Sequence, residues 1–328
     1  MGQQELWDGF FDAHFGGSRR ARALFLRAGA QTRHGVANPL VEDVTGWSTG
    51  RRMRRYATEA LPLGKDAVAA ALDDAGLLAT DIGLLAVCSC TGYATPGLDV
   101  LLARDLGMPP EVRRLSIGHM GCYAALPGLA AVADYVNAHG RPAVLLCVEL
   151  TSLHIQPPTD DLDQVVSHAL FSDAAAAVVV APDDGLRVLD VACRTDFATA
   201  DHMSWEVTDL GFRMGLSPRV PQVLAGQLET TVADLLRPHG LTFSDVAGWA
   251  VHPGGPRILD VTRQALRLPT DALGASRQVL AQHGNCSSAT VLVVLREVLR
   301  GAPGGAPLVA MAFGPGLTLY AALLRTAG

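Results

Sequence analysis

The sequence predicts a layered α/β fold, and three observations carry that reading. Apolar stretches of strand length alternate with longer helical patterns. Several of the strands are apolar without a break, as in sheets covered on both faces. Hydrophobic residues make up 49% of the chain and aromatics only 5%, so Ala, Val and Leu must build most of the core. A chain of 328 residues is long enough for two domains or for one large α/β unit.

The elements follow in order. Helices are expected over 5–14 and 64–76, then the strand IGLLAVCSC (82–90) and a helix over 97–107. The short strand RRLSI (113–117) leads into a helix over 122–138, and AVLLCVEL (143–150) and AAAAVVVA (174–181) are continuously apolar strands. PDDG (182–185) reads as a turn that divides the chain into a first half, 1–185, and a second half, 186–328. The second half alternates the strand LRVLDVAC (186–193), a helix over 219–236, the strand GWAVH (248–252) and helices over 256–267 and 286–300. It ends with the strands PLVAMAF (307–313) and LTLYAALL (317–324).

Charge and composition exclude several function classes. A net charge of −6 argues against nucleic acid or a membrane surface as partner. The start MGQQELWDGFF lacks the basic and apolar regions of a signal peptide, and no apolar run reaches the roughly 18–20 residues a bilayer requires. The six cysteines form no CxxC and no disulfide framework, which fits a reduced, cytoplasmic protein.

Chemistry concentrates in three loops. In HMGCYAALPGL (119–129), Cys122 follows Gly121 where a strand gives way to a helix. A helix N-terminus lowers a thiol pKa and favours thiolate; the same pattern fits a buried structural cysteine, and the stretch alone leaves both readings open. His252 ends GWAVH and is followed by PGGP, which puts an imidazole at the carboxyl end of a strand. Asn285, in HGNCSSATVLVVL (283–295), presents an amide from a Gly-Asn turn. A solvated His and a capping Asn are the bland alternatives, and the Cys, His and Asn together are a stronger signal than any one alone.

GCYAALPGLAAVADYV, VVSHALFSDAAAAVVVAP, WAVHPGGPRILD, HGNCSSATVLVVL and AFGPGLTLYAALL occur in that order. In sequence and spacing they resemble the type III polyketide synthases, the chalcone and stilbene synthase family, in its bacterial branch. The resemblance implies a thiolase-like five-layer α-β-α-β-α fold of two similar halves, normally a homodimer. It implies that Cys122 accepts the acyl group and that His252 and Asn285 complete a triad, His252 holding the Cys122 thiolate as an ion pair. It also implies iterative decarboxylative condensation of malonyl-CoA onto an acyl-CoA starter, closing to an aromatic or pyrone product. No metal, flavin or nicotinamide is needed, and CoA thioesters are the substrates. Phe171 matches a gatekeeper between CoA tunnel and cavity, and Phe212 resembles a second one. Cys90, Thr151 and His154 match cavity positions, as do Gly254 and the loop residues Gly314, Pro315 and Gly316, and Thr95 stands where plant members have a methionine that reaches across the dimer into the partner's cavity. Arg27, Arg33 and Arg257 are the arginines this resemblance puts toward CoA.

Departures from the family pattern accompany the matches. The chain starts almost at the helix read over 5–14, so the first strand of the first half is expected to be absent. GWSTG (46–50) fits a nucleophile elbow only formally, because no strand leads into it. RRMRR (51–55) reads as a charged surface, and Cys88 and Cys90 lack the further ligands of a metal site. Two alternatives stand beside the iterative synthase: a single-condensation ketoacyl synthase or acyltransferase on the same fold, and an altered, non-catalytic homologue.

Overall fold

The computed structural model describes residues 1–182 and 185–328; Asp183 and Asp184, within the turn read at 182–185, lie outside the described residues. The N-terminal segment is helical: α1 (Gln3–Leu6), a π turn (Trp7–Phe11), α2 (Asp12–His14) and α3 (Arg19–Leu26). Then come α4 (Thr49–Ala75), β1 (Leu84–Ser89), α5 (Leu98–Asp105), β2 (Arg113–Gly118), α6 (Ala125–His139), β3 (Ala143–Glu149), α7 (Leu162–Leu170) and β4 (Ala174–Val180). The remainder is β5 (Arg187–Thr195), β6 (Met203–Thr208), β7 (Gly211–Leu216), α8 (Val220–Leu236), β8 (Gly248–Val251), α9 (Pro256–Ala265), α10 (Gly274–His283), α11 (Ala289–Leu299), β9 (Pro307–Gly314) and β10 (Thr318–Arg325).

Two four-stranded sheets result, ordered β2-β1-β3-β4 and β5-β10-β9-β8. In the first, β1 runs parallel to both neighbours and only β4 is antiparallel. In the second, β10 is antiparallel to β5 and β9, and β8 is parallel to β9. No strand precedes β1 among the described residues. Three apolar clusters separate five layers. One packs α4 and the N-terminal aromatics Trp7, Phe11 and Phe25 on the outer face of the first sheet. A second holds α6 and α11 between the two sheets, and a third packs α8 and α9 outside the second. This is the α-β-α-β-α order expected. Gly128 of α6 makes the central approach close: a Cβ there would lie 2.8 Å from Leu145 and 3.1 Å from the Cys88 sulfur.

The eight strands read from apolar runs are all present, within about two residues at their ends. The helix expected over 64–76 instead starts at Thr49, where the Ser48 hydroxyl accepts from the Arg51 N–H as an N-cap. Its buried stripe recurs every fourth residue: Arg52, Tyr56, Ala60, Gly64, Val68 and Leu72. An arginine and a tyrosine in that stripe hid its first turns. Arg52 therefore corrects the surface reading of RRMRR, since it is fully buried and donates to the carbonyls of Thr45, Trp47, Leu153 and Ile155. The helices α3, α7 and α10 and the hairpin β6–β7 had no counterpart in the sequence reading.

Arg52→Met leaves those four carbonyls without this donor. An orphaned buried polar group costs about 1–3 kcal/mol. The variant is expected to be less stable by about 3 kcal/mol or more, seen as a lower urea midpoint at unchanged slope.

Candidate active site

Cys122 lies in a single 3-10 turn, Gly121–Tyr123, ahead of α6. Gly121 has φ +78°, and a Cβ there would meet the Pro315 ring at 2.8 Å. The end of β9 runs alongside: a Cβ on Gly314 would sit 3.5 Å from the Cys122 nitrogen and 2.7 Å from the Tyr123 ring. Glycine at 121 and 314 is what lets the two backbones approach. The thiol is 9% exposed, and burial pushes it up to about 12 although the Ser287 hydroxyl and the Asn285 amide favour the thiolate. The expected lowering by a helix end is overturned, because α6 proper begins at Ala125 and desolvation is the larger effect.

Asn285 is held by backbone on both sides. Its N–H donates to the Leu170 carbonyl at 2.8 Å, and its carbonyl accepts from the Ser172 N–H at 2.9 Å, which puts it in register with Phe171. Its Oδ1 accepts from the Ser287 N–H at 2.9 Å, so the amide nitrogen is the end left to act on Cys122. His252 follows β8, and its N–H donates to Met311 of β9 at 2.8 Å. It is 1% exposed, and neither ring nitrogen has a hydrogen-bond partner. Burial holds it down to about 3, so the imidazole is neutral at physiological pH. Burial disfavours the charge on both groups, pushing the thiol up and the imidazole down, the direction opposite to the thiolate–imidazolium pair the resemblance implies. The loop after His252 closes on the same region, because a Cβ on Gly255 would be 3.7 Å from Leu170.

The cavity at Cys122, about 30 Å³, is lined by Cys90, Thr91, Thr151, Phe171, Ser287 and Pro315, and by Met203, Trp205 and Met214 of the β6–β7 hairpin. Of the residues expected there, Cys90, Thr151, Phe171 and Pro315 are in place, and Gly314 stands against the Cys122 backbone. His154 lies one layer behind, its Nε2–H donating to the Thr91 carbonyl at 2.7 Å and its ring stacked 4.4 Å from Phe212. Phe212 is also in that second layer: Trp205 packs edge-on against it and lines the cavity in its place. Gly254 and Gly316 belong to the flanking loops and do not line the cavity.

Thr95 stands apart from the cavity of its own chain. It is exposed, its hydroxyl donates to the Tyr93 hydroxyl at 3.2 Å, and it lines a separate cleft with Tyr56, Ser89 and His119. Arg33 is corrected as well: it is 5% exposed and its guanidinium donates inward to the carbonyls of His168 and Phe171. Arg27, at the end of α3, and Arg257, in the first turn of α9, are exposed.

Glu149 escaped the sequence reading. It is fully buried at the end of β3, accepting from the Cys90 N–H (3.0 Å) and the hydroxyls of Thr91 (2.8 Å) and Ser288 (2.6 Å). Burial raises its pKa against those hydrogen bonds. The available signal was a carboxylate closing an otherwise apolar strand. Trp205 escaped too; its indole N–H donates to the Cys90 carbonyl at 2.8 Å and seats the hairpin over the cavity. Cys88, facing the Ala124 carbonyl, and Cys90 do not converge on a common ligand set.

Comparison with known proteins puts this geometry in context. Residues 36–184 match the family described as chalcone and stilbene synthases, N-terminal domain, and residues 191–328 match its C-terminal domain. The chain is 38% identical over 315 residues to a 1,3,6,8-tetrahydroxynaphthalene synthase of Streptomyces peucetius subsp. caesius, covering 93% of this chain and 83% of that protein. It is 33% identical over 280 residues to the α-pyrone synthesis polyketide synthase-like Pks18 of Mycobacterium tuberculosis, covering 82% and 71%. The crystal structure of the tetrahydroxynaphthalene synthase of Streptomyces coelicolor A3(2), a bacterial type III polyketide synthase, superposes with a TM-score of 0.94. That match has 30% identity and covers 100% of this chain and 96% of that one.

Three buried histidines set the acid limit of the fold. His154, His168 and His252 are each held down to about 3 by burial. Each contributes stability that is fully present above pH 6.5 and lost as pH falls from 6.5 toward 3. Glu149 and Asp173, raised by burial, act in the opposite sense: their contribution is present at low pH and lost as pH rises through their folded values. These three histidines are expected to make stability fall below pH 6.5, together adding at most about 4 kcal/mol per pH unit to the slope near pH 5. Urea unfolding from pH 7 to pH 4.5 checks this; a flat profile would contradict it.

Proposed function

The chain belongs to the chalcone and stilbene synthase family and is a type III polyketide synthase, and on that premise we propose how its own residues perform the reaction. Cys122 takes the starter acyl group from CoA, and His252 and Asn285 decarboxylate malonyl-CoA and direct the condensation. The observation that carries this reading is the state of His252, fully enclosed with both ring nitrogens unpartnered. A protein normally satisfies such groups, at about 1–3 kcal/mol each, and here a substrate oxygen is the partner that fits.

In the first step the Cys122 sulfur bonds to the starter carbonyl while its proton passes to the imidazole. CoA then leaves as the thiol, taking that proton. Neutral ground states favour a proton transfer concerted with attack over a resting ion pair. In the second step the C–CO₂ bond of malonyl-CoA breaks and leaves an enolate. Its oxygen accepts from the His252 N–H and the Asn285 amide, donors that typically contribute about 3–4 kcal/mol each. The enolate carbon attacks the Cys122 thioester, the sulfur leaves and is reprotonated, and the lengthened β-keto thioester re-enters the cycle until the chain closes to an aromatic or pyrone ring.

Arg27 and Arg257 are the arginines proposed to meet the CoA phosphates, supported by their exposure. The chemistry as written draws on no metal, flavin or nicotinamide. We further propose a homodimer in the cytoplasm. The exposed face of β2, with Leu115 at 38%, and the neighbouring Tyr93 at 66% support the first; six unbridged cysteines support the second. No helix among the described residues is long and apolar enough to cross a membrane.

Cys122→Ala is expected to abolish acyl-enzyme formation, read by intact mass, while leaving CO₂ release from malonyl-CoA. His252→Gln and Asn285→Asp are each expected to lower that release about 10²–10³-fold. Product formation by Cys122→Ala would overturn the assignment of the nucleophile. Absence of CO₂ release by the unmodified protein with every starter thioester would overturn the function.

A cavity of about 30 Å³ holds no more than one or two waters, and Trp205 is the largest side chain lining it, so its bulk is proposed to limit the length of the growing chain. Trp205→Ala is expected to move the product mass distribution toward longer chains.

A further inference from the structure

We propose that Arg33 is a positioning residue for this site: from the inner side of α7 it holds Phe171 and, through it, Asn285, and it is not a ligand of CoA phosphate. The inference rests on the reading of the chain as a decarboxylating synthase.

A helix leaves its last carbonyls without internal partners. At the end of α7, side chains and backbone from three distant segments supply the missing donors. Arg33 donates to the carbonyls of His168 and Phe171, the latter at 3.1 Å. Gln3 Nε2 donates to the Ala169 carbonyl at 2.9 Å, and the Asn285 N–H to that of Leu170 at 2.8 Å. Four successive carbonyls, 168 to 171, are thus filled from outside the helix, two of them by one guanidinium. A cation at this position also faces the negative end of the helix dipole.

The backbone around Arg33 clasps both loops. His34 exchanges hydrogen bonds with the Ser172 hydroxyl at 2.7 and 3.0 Å, and its carbonyl accepts from the Asp173 N–H at 2.9 Å. On the other side, Gln31 and Thr32 donate their N–H groups to the Ala281 carbonyl at 2.8 and 3.0 Å. Residues 31–36 therefore tie the Phe171 loop to the chain leading into Asn285. The guanidinium itself lies 5.2 Å from the Phe25 ring and 5.9 Å from Phe11, inside the N-terminal aromatic cluster. To reach a phosphate, Arg33 would have to leave all of these partners and orphan the end of α7.

The consequence is kinetic. Without Arg33 the Asn285 amide loses its placement over the thioester oxygen, which lowers turnover, while CoA recognition is untouched. Steady-state CO₂ release is measured for the intact protein and for Arg33→Met and Arg33→Lys, with malonyl-CoA and with a malonyl-N-acetylcysteamine thioester that lacks the nucleotide. Arg33→Met is expected to lose about 10–100-fold in kcat with both thioesters at unchanged KM. Arg33→Lys, whose ammonium carries donors for the same two carbonyls, is expected to restore most of that loss. A raised KM confined to malonyl-CoA, with kcat kept, would overturn the proposal and make Arg33 a phosphate ligand. So would kcat of Arg33→Met remaining within about twofold of the parent. Where Arg33→Met does not fold, Arg33→Gln, whose amide is shorter and uncharged, is read by the same two criteria. If the unmodified protein itself releases no CO₂, the function falls rather than this assignment.

Discussion

Two apolar sheets share one helical layer, and the active-site geometry follows from that constraint. Each sheet is covered on both faces, so the space between them must be filled from both halves of the chain. The first half supplies α6 and the second α11. The turn before α6 carries Cys122 to the cavity, and the turn before α11 brings Ser287 to the same cavity and the Asn285 amide to the thiol. His252 stands at the end of β8, hydrogen-bonded to the β9 strand whose last glycine lies against Cys122.

Bringing polar groups into such a sandwich is costly unless each finds a partner. Most do. Glu149 is met by a backbone N–H and two hydroxyls, Asp173 by Thr151, Ser152 and Val36, and Arg52 by four carbonyls. Gln3 Oε1, His14 Nε2, Arg33 Nε and Gln227 Oε1 are single atoms left without a partner, whereas the His252 imidazole is unpartnered at both nitrogens, and it coincides with the residue proposed to hold a substrate oxygen. Burial also works against charge on both the thiol and the imidazole, and the Glu149 carboxylate adds to that effect at the thiol.

The structure assembles its gate from pieces remote in sequence. Phe171 ends a nine-residue helix whose carbonyls are completed by Gln3, Arg33 and Asn285. Trp205 reaches in from a hairpin that the apolar pattern did not reveal, because its strands, MSWEVT and GFRMGL, bury few residues and carry polar side chains between them. Neither arrangement has a local signature.

The strands were legible in the sequence because an unbroken apolar run has few other ways to be buried; β1, β3 and β9 are the clearest cases. The identities of the site residues were legible because Cys122, His252 and Asn285 each sit beside glycine or proline at the end of an element, where side chains are free to face a cavity. The sequence alone did not decide the protonation of that site, since the dipole of a helix end acts locally while desolvation depends on everything packed around the thiol. Nor did it decide the direction of arginines. Arg27, Arg33 and Arg52 look alike in the chain, and only the tertiary fold sends the first to solvent and the other two inward, where backbone carbonyls left over from helices and turns need a donor.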